Sequence, residues 1–177
     1  MRNKSVKTIH TVHVGFEYDE RQIGKDSDTK IYRDATLLTP GTFSDSITRS
    51  PVKYSEEVLM RTYHKWNSNY LNIDHSYKVL DRIGRVMNPH FSDGKVKGDL
   101  YIYPITENAR DTIKLIDSGL INWLSVEIQT IDKWDEHEER YVDDIEYLGL
   151  AVVSEPACKD ALIDERGPKP PSYMYED

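Results

Sequence analysis

Residues 120–131 read LINWLSVEIQTI, and apolar and polar side chains alternate along this stretch. A period of two predicts a β-strand, because successive side chains of a strand point to opposite faces. One face of such a strand packs against a core, and the other looks out or into a cleft. The first face carries Leu124, Val126, Ile128 and Thr130, and the second carries Trp123, Ser125, Glu127 and Gln129.

Ser125 is the hydroxyl in the middle of that second face, between an indole and a carboxylate. A serine on the open face of a strand is most often a solvated position, so the residue alone indicates little. It gains weight from His75, which lies in the earlier sequence Asn-Ile-Asp-His-Ser at residues 72–76. Nucleophilic serine chemistry requires a base within hydrogen-bond reach and a third group that fixes the tautomer of the base. Ser125 and His75 are therefore a candidate pair, and whether they meet depends on the fold.

The composition limits the class of protein. The chain has 177 residues, enough for one domain with a real core. A net charge of −8 argues against a nucleic-acid-binding surface, which would need a basic patch. No run approaches the roughly 18 apolar residues of a membrane span, and residues 1–16 lack the apolar core of a signal peptide. The lone Cys158 excludes an intramolecular disulfide and is typical of a reducing compartment. We therefore expect a cytosolic single domain.

The remaining pattern predicts several strands and two helices. Ser55 as N-cap, followed by two glutamates, predicts an amphipathic helix over residues 55–66. Thr106 begins a second helix with an inner stripe of Ala109, Ile113 and Ile116, which ends at Gly119. Strands are predicted over residues 8–16, 35–38, 77–87, 95–103 and 141–154, with turns at 88–89 and 92–94 forming a long hairpin tip. Such a mostly-β chain favours an antiparallel barrel or sandwich with peripheral helices.

Several short motifs follow one another in a fixed order. They are Asp74-His75-Ser76, Ile83-Gly84-Arg85-Val86, a strand with Gly98, the capped second helix, Gly119-Leu120-Ile121, Leu124-Ser125-Val126 and Val152-Val153-Ser154-Glu155-Pro156-Ala157. This succession resembles the prohead (capsid maturation) protease family of tailed phages, which is related in fold to the herpesvirus assemblins. The resemblance covers residues 35–162 and implies a mostly-β (α+β) domain, an antiparallel closed barrel with peripheral helices. Residues 1–34 would then be an N-terminal segment that contributes a strand at most, and residues 163–177 a disordered Pro-rich tail.

The resemblance also implies catalytic roles. Ser125 would be the nucleophile and His75 the general base, which later acts as the acid. The third member is an acidic residue in the phage enzymes and a second histidine in the assemblins. Counting back from Pro156-Ala157, the slot in which many relatives carry glutamate falls on Gly149. Another residue is therefore needed to orient the histidine.

Glu127 is the candidate for this third role, because it shares the face of Ser125 and lies about 7 Å along the strand. Its alternative interpretation is an exposed strand carboxylate. Asp74 is set aside, because it adjoins His75 and would point to the opposite face. Three further carboxylates stay open as alternatives: Glu146, Asp144 and Glu155.

The family resemblance implies a serine endopeptidase that works through an acyl-enzyme inside the immature phage capsid, in the host cytoplasm. Its protein substrates would be the scaffold and the major capsid protein precursor. No cofactor, metal, nucleic acid or membrane is expected, and a homo-oligomer stays open. One alternative is a non-catalytic capsid-assembly or scaffold protein on the same fold, which Gly149 favours. Another is an unrelated β-rich binding domain, in which Ser125 and His75 never meet.

Two other residue types invite different chemistry. His10 and His13 are three apart, but on a strand such residues face opposite sides and cannot share a metal. His64 lies on the first predicted helix, where a surface position is expected. Cys158 beside Pro-Ala is typical of a residue packed at the end of a strand. We therefore predict no structural zinc site and no cysteine nucleophile.

Overall fold

The computed structural model describes residues 28–44, 50–155, 161 and 163. They form one eight-stranded sheet with two α-helices and two short 3₁₀ turns. The elements are β1 (Lys30–Leu38), β2 (Gly41–Ser44), β3 (Pro51–Tyr54), α1 (Glu56–Thr62), a 3₁₀ turn (Tyr63–Trp66), β4 (Tyr70–Ile73), a second 3₁₀ turn (Val79–Asp81), β5 (Arg82–Ser92), β6 (Lys95–Ile102), α2 (Glu107–Asp117), β7 (Trp123–Trp134) and β8 (Arg140–Val153). The mostly-β class expected from the sequence is confirmed.

The long strand β8 organises the part of the sheet that carries the candidate residues. Strand β7 pairs with it antiparallel from Trp123 opposite Val153 to Trp134 opposite Arg140. Its other edge is shared by β3 and β4, and both of these pair with it in parallel. Beyond β4 the sheet continues through β5 and β6 to β1. The two parallel pairings correct the expectation of a purely antiparallel sheet. Alternation along a strand reports its faces, but it does not report the direction of a neighbour distant in sequence.

The sheet is not closed by hydrogen bonds. Within the described ranges, the strand pairing runs from β1 at one end to β2 and β7 at the other, and no ladder joins β1 to β7. The closed barrel expected from the sequence is therefore not confirmed, and the relation to the herpesvirus assemblins stays a prediction.

Helix α1 begins where the sequence predicts. The Ser55 hydroxyl accepts a hydrogen bond from the Val58 N–H at 3.2 Å, and Glu56 and Glu57 occupy the first turn. The last predicted turn is 3₁₀ rather than α. It buries Trp66 completely and stacks it on Tyr147, with ring centroids 4.3 Å apart. Burial raises the pKa of Tyr147 to about 12.

Helix α2 leads the chain into β7. The Thr106 hydroxyl accepts from the Ala109 N–H at 3.1 Å, which confirms the predicted N-cap. Ala109 and Ile116 are buried and Ile113 is partly buried, so the predicted stripe faces the core. Gly119 has φ +75° and ends the helix, as expected for a left-handed C-terminal residue. The helix ends a few residues before Trp123, where the strand that carries Ser125 begins.

The predicted hairpin forms, with a shorter tip. Strands β5 and β6 are joined by Asp93 and Gly94, both with positive φ, as in a two-residue turn. The turn predicted at Asn88-Pro89 is wrong, because these residues lie inside β5 as a bulge where the register shifts between Met87 and His90. A bulge accommodates the missing N–H of proline without ending the strand.

Other predictions fall on residues that the structure does not describe. They are the strand at 8–16 with His10 and His13, Cys158, and nearly all of the predicted tail. Among the described residues, no helix is long and apolar enough to cross a membrane.

Candidate active site

Three neighbouring strands place the candidate residues on one face of the sheet. Across β4, β8 and β7, Tyr70 pairs with Gly149 and Gly149 with Glu127. One step along, Asn72 pairs with Ala151 and Ala151 with Ser125. Residues directly opposite each other in neighbouring strands share a face. The central strand thus contributes only a glycine and an alanine, and side chains from both flanking strands can lie over it.

His75 enters this face from a tight turn after β4. The Ser76 N–H donates to the Ile73 carbonyl at 2.8 Å, and the two residues between them, Asp74 and His75, have φ +51° and +55°. Two positive φ values at the centre of a turn are typical of type I′ geometry. The Asp74 N–H donates to the Val152 carbonyl at 3.0 Å and so fixes the turn to β8. Aspartate and histidine adopt this left-handed conformation more readily than most other non-glycine residues do.

Ser125, His75 and Glu127 form a hydrogen-bonded chain. His75 Nε2 lies 2.9 Å from Ser125 Oγ, and His75 Nδ1 lies 3.2 Å from Glu127 Oε1. The carboxylate can only accept, so Nδ1 carries the hydrogen and Nε2 is left to accept from the hydroxyl. This is the tautomer that a general base for serine requires.

The site is open on the side of the histidine. The His75 side chain is 43% exposed, whereas that of Glu127 is 20% exposed. The imidazole is therefore accessible from solvent, while the carboxylate is partly screened from water. A general base must contact the substrate, so the exposure of His75 fits that role. A group that only orients the base need not contact the substrate, so the lower exposure of Glu127 fits the orienting role.

Gly149 provides the room in which the Glu127 carboxylate lies. A β-carbon at position 149 would stand 2.6 Å from Glu127 Oε2 and 3.2 Å from the Tyr70 carbonyl oxygen. A side chain at 149 and the present position of Glu127 are therefore incompatible. The carboxylate of Glu127, which belongs to β7, therefore lies over Gly149 of β8.

Asn72 is a member of the cluster that the sequence analysis missed. It is 4% exposed, and its Nδ2 donates to Glu127 at 3.3 Å to Oε1 and 3.1 Å to Oε2. Its own Oδ1 accepts from Arg82 Nε at 3.3 Å. A signal was present, since this amide lies between Leu71 and Ile73 just before the candidate histidine. A buried amide among apolar neighbours calls for a polar partner.

The alternative carboxylates lie elsewhere. Asp144 accepts from Lys65 Nζ at 3.1 Å, and this hydrogen bond holds its pKa below the usual range. Glu146 is exposed and pairs with Gln129, and Glu155 is exposed after the end of β8. No hydrogen bond described for these three carboxylates reaches His75.

The other histidines show different contacts. His64 packs edge-on to Tyr63, and His90 contacts Asp34 at 2.9 Å. Within the part of the chain that the structure describes, no group of three or more His, Cys, Asp or Glu side chains is arranged to hold a metal ion.

The sequence matches no protein-family model and no curated protein. The fold is similar to the solved structure of the bacteriophage T4 capsid assembly protease, gp21, with a TM-score of 0.49 and 9% sequence identity. The similarity covers 75% of this chain and 100% of that chain. Function is therefore best sought in the residues of the site.

Proposed function

We propose that this chain is a serine endopeptidase of phage capsid maturation. The observation that carries the catalytic part is the chain of contacts from Ser125 Oγ through His75 to Glu127, with distances of 2.9 and 3.2 Å. The capsid part rests on the order of sequence motifs around these residues.

In the proposed mechanism, Ser125 Oγ attacks the scissile carbonyl carbon while its proton passes to His75 Nε2. The imidazolium then donates that proton to the leaving amine, and an acyl-enzyme remains on Ser125. Water attacks the ester and gives a proton to His75, which returns it to Ser125 Oγ as the ester bond breaks and the second product leaves as a carboxylic acid. Glu127 accepts from Nδ1 throughout, which holds the ring in place and stabilises the positive charge that it carries between the two proton transfers.

The proposed substrates are the scaffold and the major capsid protein precursor of the same phage, inside the immature capsid in the host cytoplasm. The His75 side chain is 43% exposed, so an extended polypeptide could reach it. The Ser125 hydroxyl is presented on a strand whose neighbour, β8, offers only Gly149 and Ala151 beneath it.

The alternatives lose their support in the same geometry. A non-catalytic assembly protein was favoured by Gly149 in the acidic slot, but Glu127 reaches that space from the adjacent strand. An unrelated binding domain required Ser125 and His75 to lie apart, and they are in hydrogen-bond contact.

Co-expression of the full chain with the major capsid protein precursor and scaffold of the same phage tests the proposal. Mass spectrometry should detect shortened capsid protein with the native chain and full-length precursor with Ser125→Ala. Equal processing in both cultures, or an intact precursor in both, would overturn the proposed function.

A further inference from the structure

We infer that Asn72 is a positioning residue of the proposed active site, and that it acts by fixing the Glu127 carboxylate against His75. This inference rests on the proposed function and adds a fourth residue to it. The side-chain hydrogen bonds described for Asn72 join it to Glu127 and Arg82, so its effect on catalysis would pass through Glu127.

The contacts of Asn72 determine how the carboxylate is turned. A glutamate carboxylate rotates freely about its last bond, and one hydrogen bond to His75 does not fix that rotation. The amide nitrogen of Asn72 lies 3.3 Å from Oε1 and 3.1 Å from Oε2, so it holds both oxygens. Oε1 is thereby kept within 3.2 Å of His75 Nδ1.

Arg82 fixes the orientation of the Asn72 amide. A guanidinium can only donate, and its Nε lies 3.3 Å from Asn72 Oδ1. The amide oxygen therefore faces β5, and the NH₂ group faces Glu127. Arg82 is itself held by stacking on Tyr70, with the guanidinium carbon 3.8 Å from the ring centroid.

Burial makes this arrangement more than a surface contact. Asn72 is 4% exposed, so its amide has little access to water, and the carboxylate is its available acceptor partner. A buried amide left without that partner destabilises the folded chain, because it has given up its hydrogen bonds to water without a replacement. The hydrogen bonds that satisfy the Asn72 amide therefore also hold the Glu127 carboxylate within hydrogen-bond reach of His75.

The test measures how fast a fluorophosphonate labels Ser125 in the full chain at a series of probe concentrations. The concentration dependence gives a maximal rate constant and a half-saturating concentration. We expect Asn72→Ala to lower the maximal rate constant on the order of 10- to 100-fold, because a misplaced orienting group weakens catalysis that strongly. The half-saturating concentration should stay within about twofold, since Asn72 does not touch the probe. Asn88→Ala is the matched control, because Asn88 Nδ2 donates to the Asp99 carboxylate at 3.0 Å, away from the site.

A double-mutant cycle separates positioning from a structural role. In a Glu127→Ala background, Asn72→Ala should have no further effect, because its target is gone. An undiminished loss in that background, or native labelling by Asn72→Ala alone, would overturn the inference. If Asn72→Ala fails to fold, Arg82→Met, a change at an exposed residue, takes its place in the same double-mutant cycle. We expect it to lower the maximal rate constant less than Asn72→Ala would, and the same two outcomes would overturn the inference. Absence of labelling in the native chain would instead contradict the proposed function itself.

Discussion

Among the described residues, His75 and His90 each contact a carboxylate from a distant part of the chain, and of these two only His75 belongs to the candidate active site. His75 lies 3.2 Å from Glu127 and His90 lies 2.9 Å from Asp34, and both histidine side chains are 43% exposed. Both pairs also lie beside non-glycine residues with positive φ, including Asp34 and Asn88 in the second case. In the exposure of the histidine, in charge and in local backbone the two pairs are similar, whereas the Glu127 side chain is 20% exposed and that of Asp34 60%.

The second ring nitrogen separates them. His75 Nε2 faces the hydroxyl of Ser125, which can donate, whereas His90 Nδ1 faces the carbonyl oxygen of Asn88 at 2.9 Å, which can only accept. Both ring nitrogens of His90 thus face acceptors, and these contacts join β1 to the bulge in β5. A histidine–carboxylate pair is not by itself a sign of catalysis, and the partner of the other nitrogen decides the role.

The largest effect on the cleavage rate is expected from removing either member of the Ser125–His75 pair. Ser125→Ala and His75→Ala should each lower cleavage of the capsid precursor on the order of 10⁴- to 10⁶-fold, because each removes a partner in the proton transfer. The measurement is the initial rate of precursor cleavage by purified protein. His90→Ala is the matched control, and a comparable loss in that variant would contradict the distinction.

Glu127→Gln should lower the same rate on the order of 10³- to 10⁴-fold. The amide keeps the shape of the carboxylate, but it can place an NH₂ donor against His75 Nδ1 and favour the wrong tautomer. Asp34→Asn makes the same chemical change beside His90 and should leave the rate within twofold. If the two variants behave alike, Glu127 has no special role.

Gly149→Ala should lower the cleavage rate on the order of 10-fold to 100-fold with the fold intact. The new methyl would displace the Glu127 carboxylate, which it would otherwise approach to 2.6 Å. Gly98→Ala is the control, since a β-carbon there would meet Leu37 at 3.1 Å and Val86 and the Met87 carbonyl oxygen at 3.3 Å, and none of these three nearest atoms belongs to Glu127. Cleavage rates and circular dichroism are compared, and full activity in Gly149→Ala would show that the carboxylate does not need this space.

The smallest effect is expected from removing the second histidine. His90→Ala should lower the free energy of unfolding by no more than about 1 kcal/mol, because its pair with Asp34 is exposed to solvent. Urea denaturation of the full chain measures this difference. A loss of several kcal/mol would mean that the bulges of β1 and β5 depend on this contact far more than an exposed pair allows.

The sequence predicts the local features of the fold well, because they depend on neighbours along the chain. Alternation places Ser125 and Glu127 on one face, and the caps at Ser55 and Thr106 start both helices. The Asp74-His75-Ser76 motif also identifies His75 as a candidate. The contact between His75 and Ser125, by contrast, depends on the parallel pairing of β4 with β8, which no local pattern encodes.

The misses have the same origin. Asn88-Pro89 looks like a turn because proline lacks an N–H, and only the register of β6 shows that a bulge accommodates it. Asn72 has no catalytic signature of its own, and its importance arises from an acid placed opposite it by two intervening strand pairings. The sequence offers Glu127 as the candidate acid, but it does not show that the carboxylate lies over Gly149, 2.6 Å from where a β-carbon would stand.

The most direct measurement is the site of covalent modification by a fluorophosphonate in the intact chain, mapped by peptide mass spectrometry. A relay from Ser125 to His75 predicts one adduct, on Ser125, which disappears in His75→Ala and persists in His90→Ala. An adduct on another residue, or equal labelling of the two histidine variants, would contradict it.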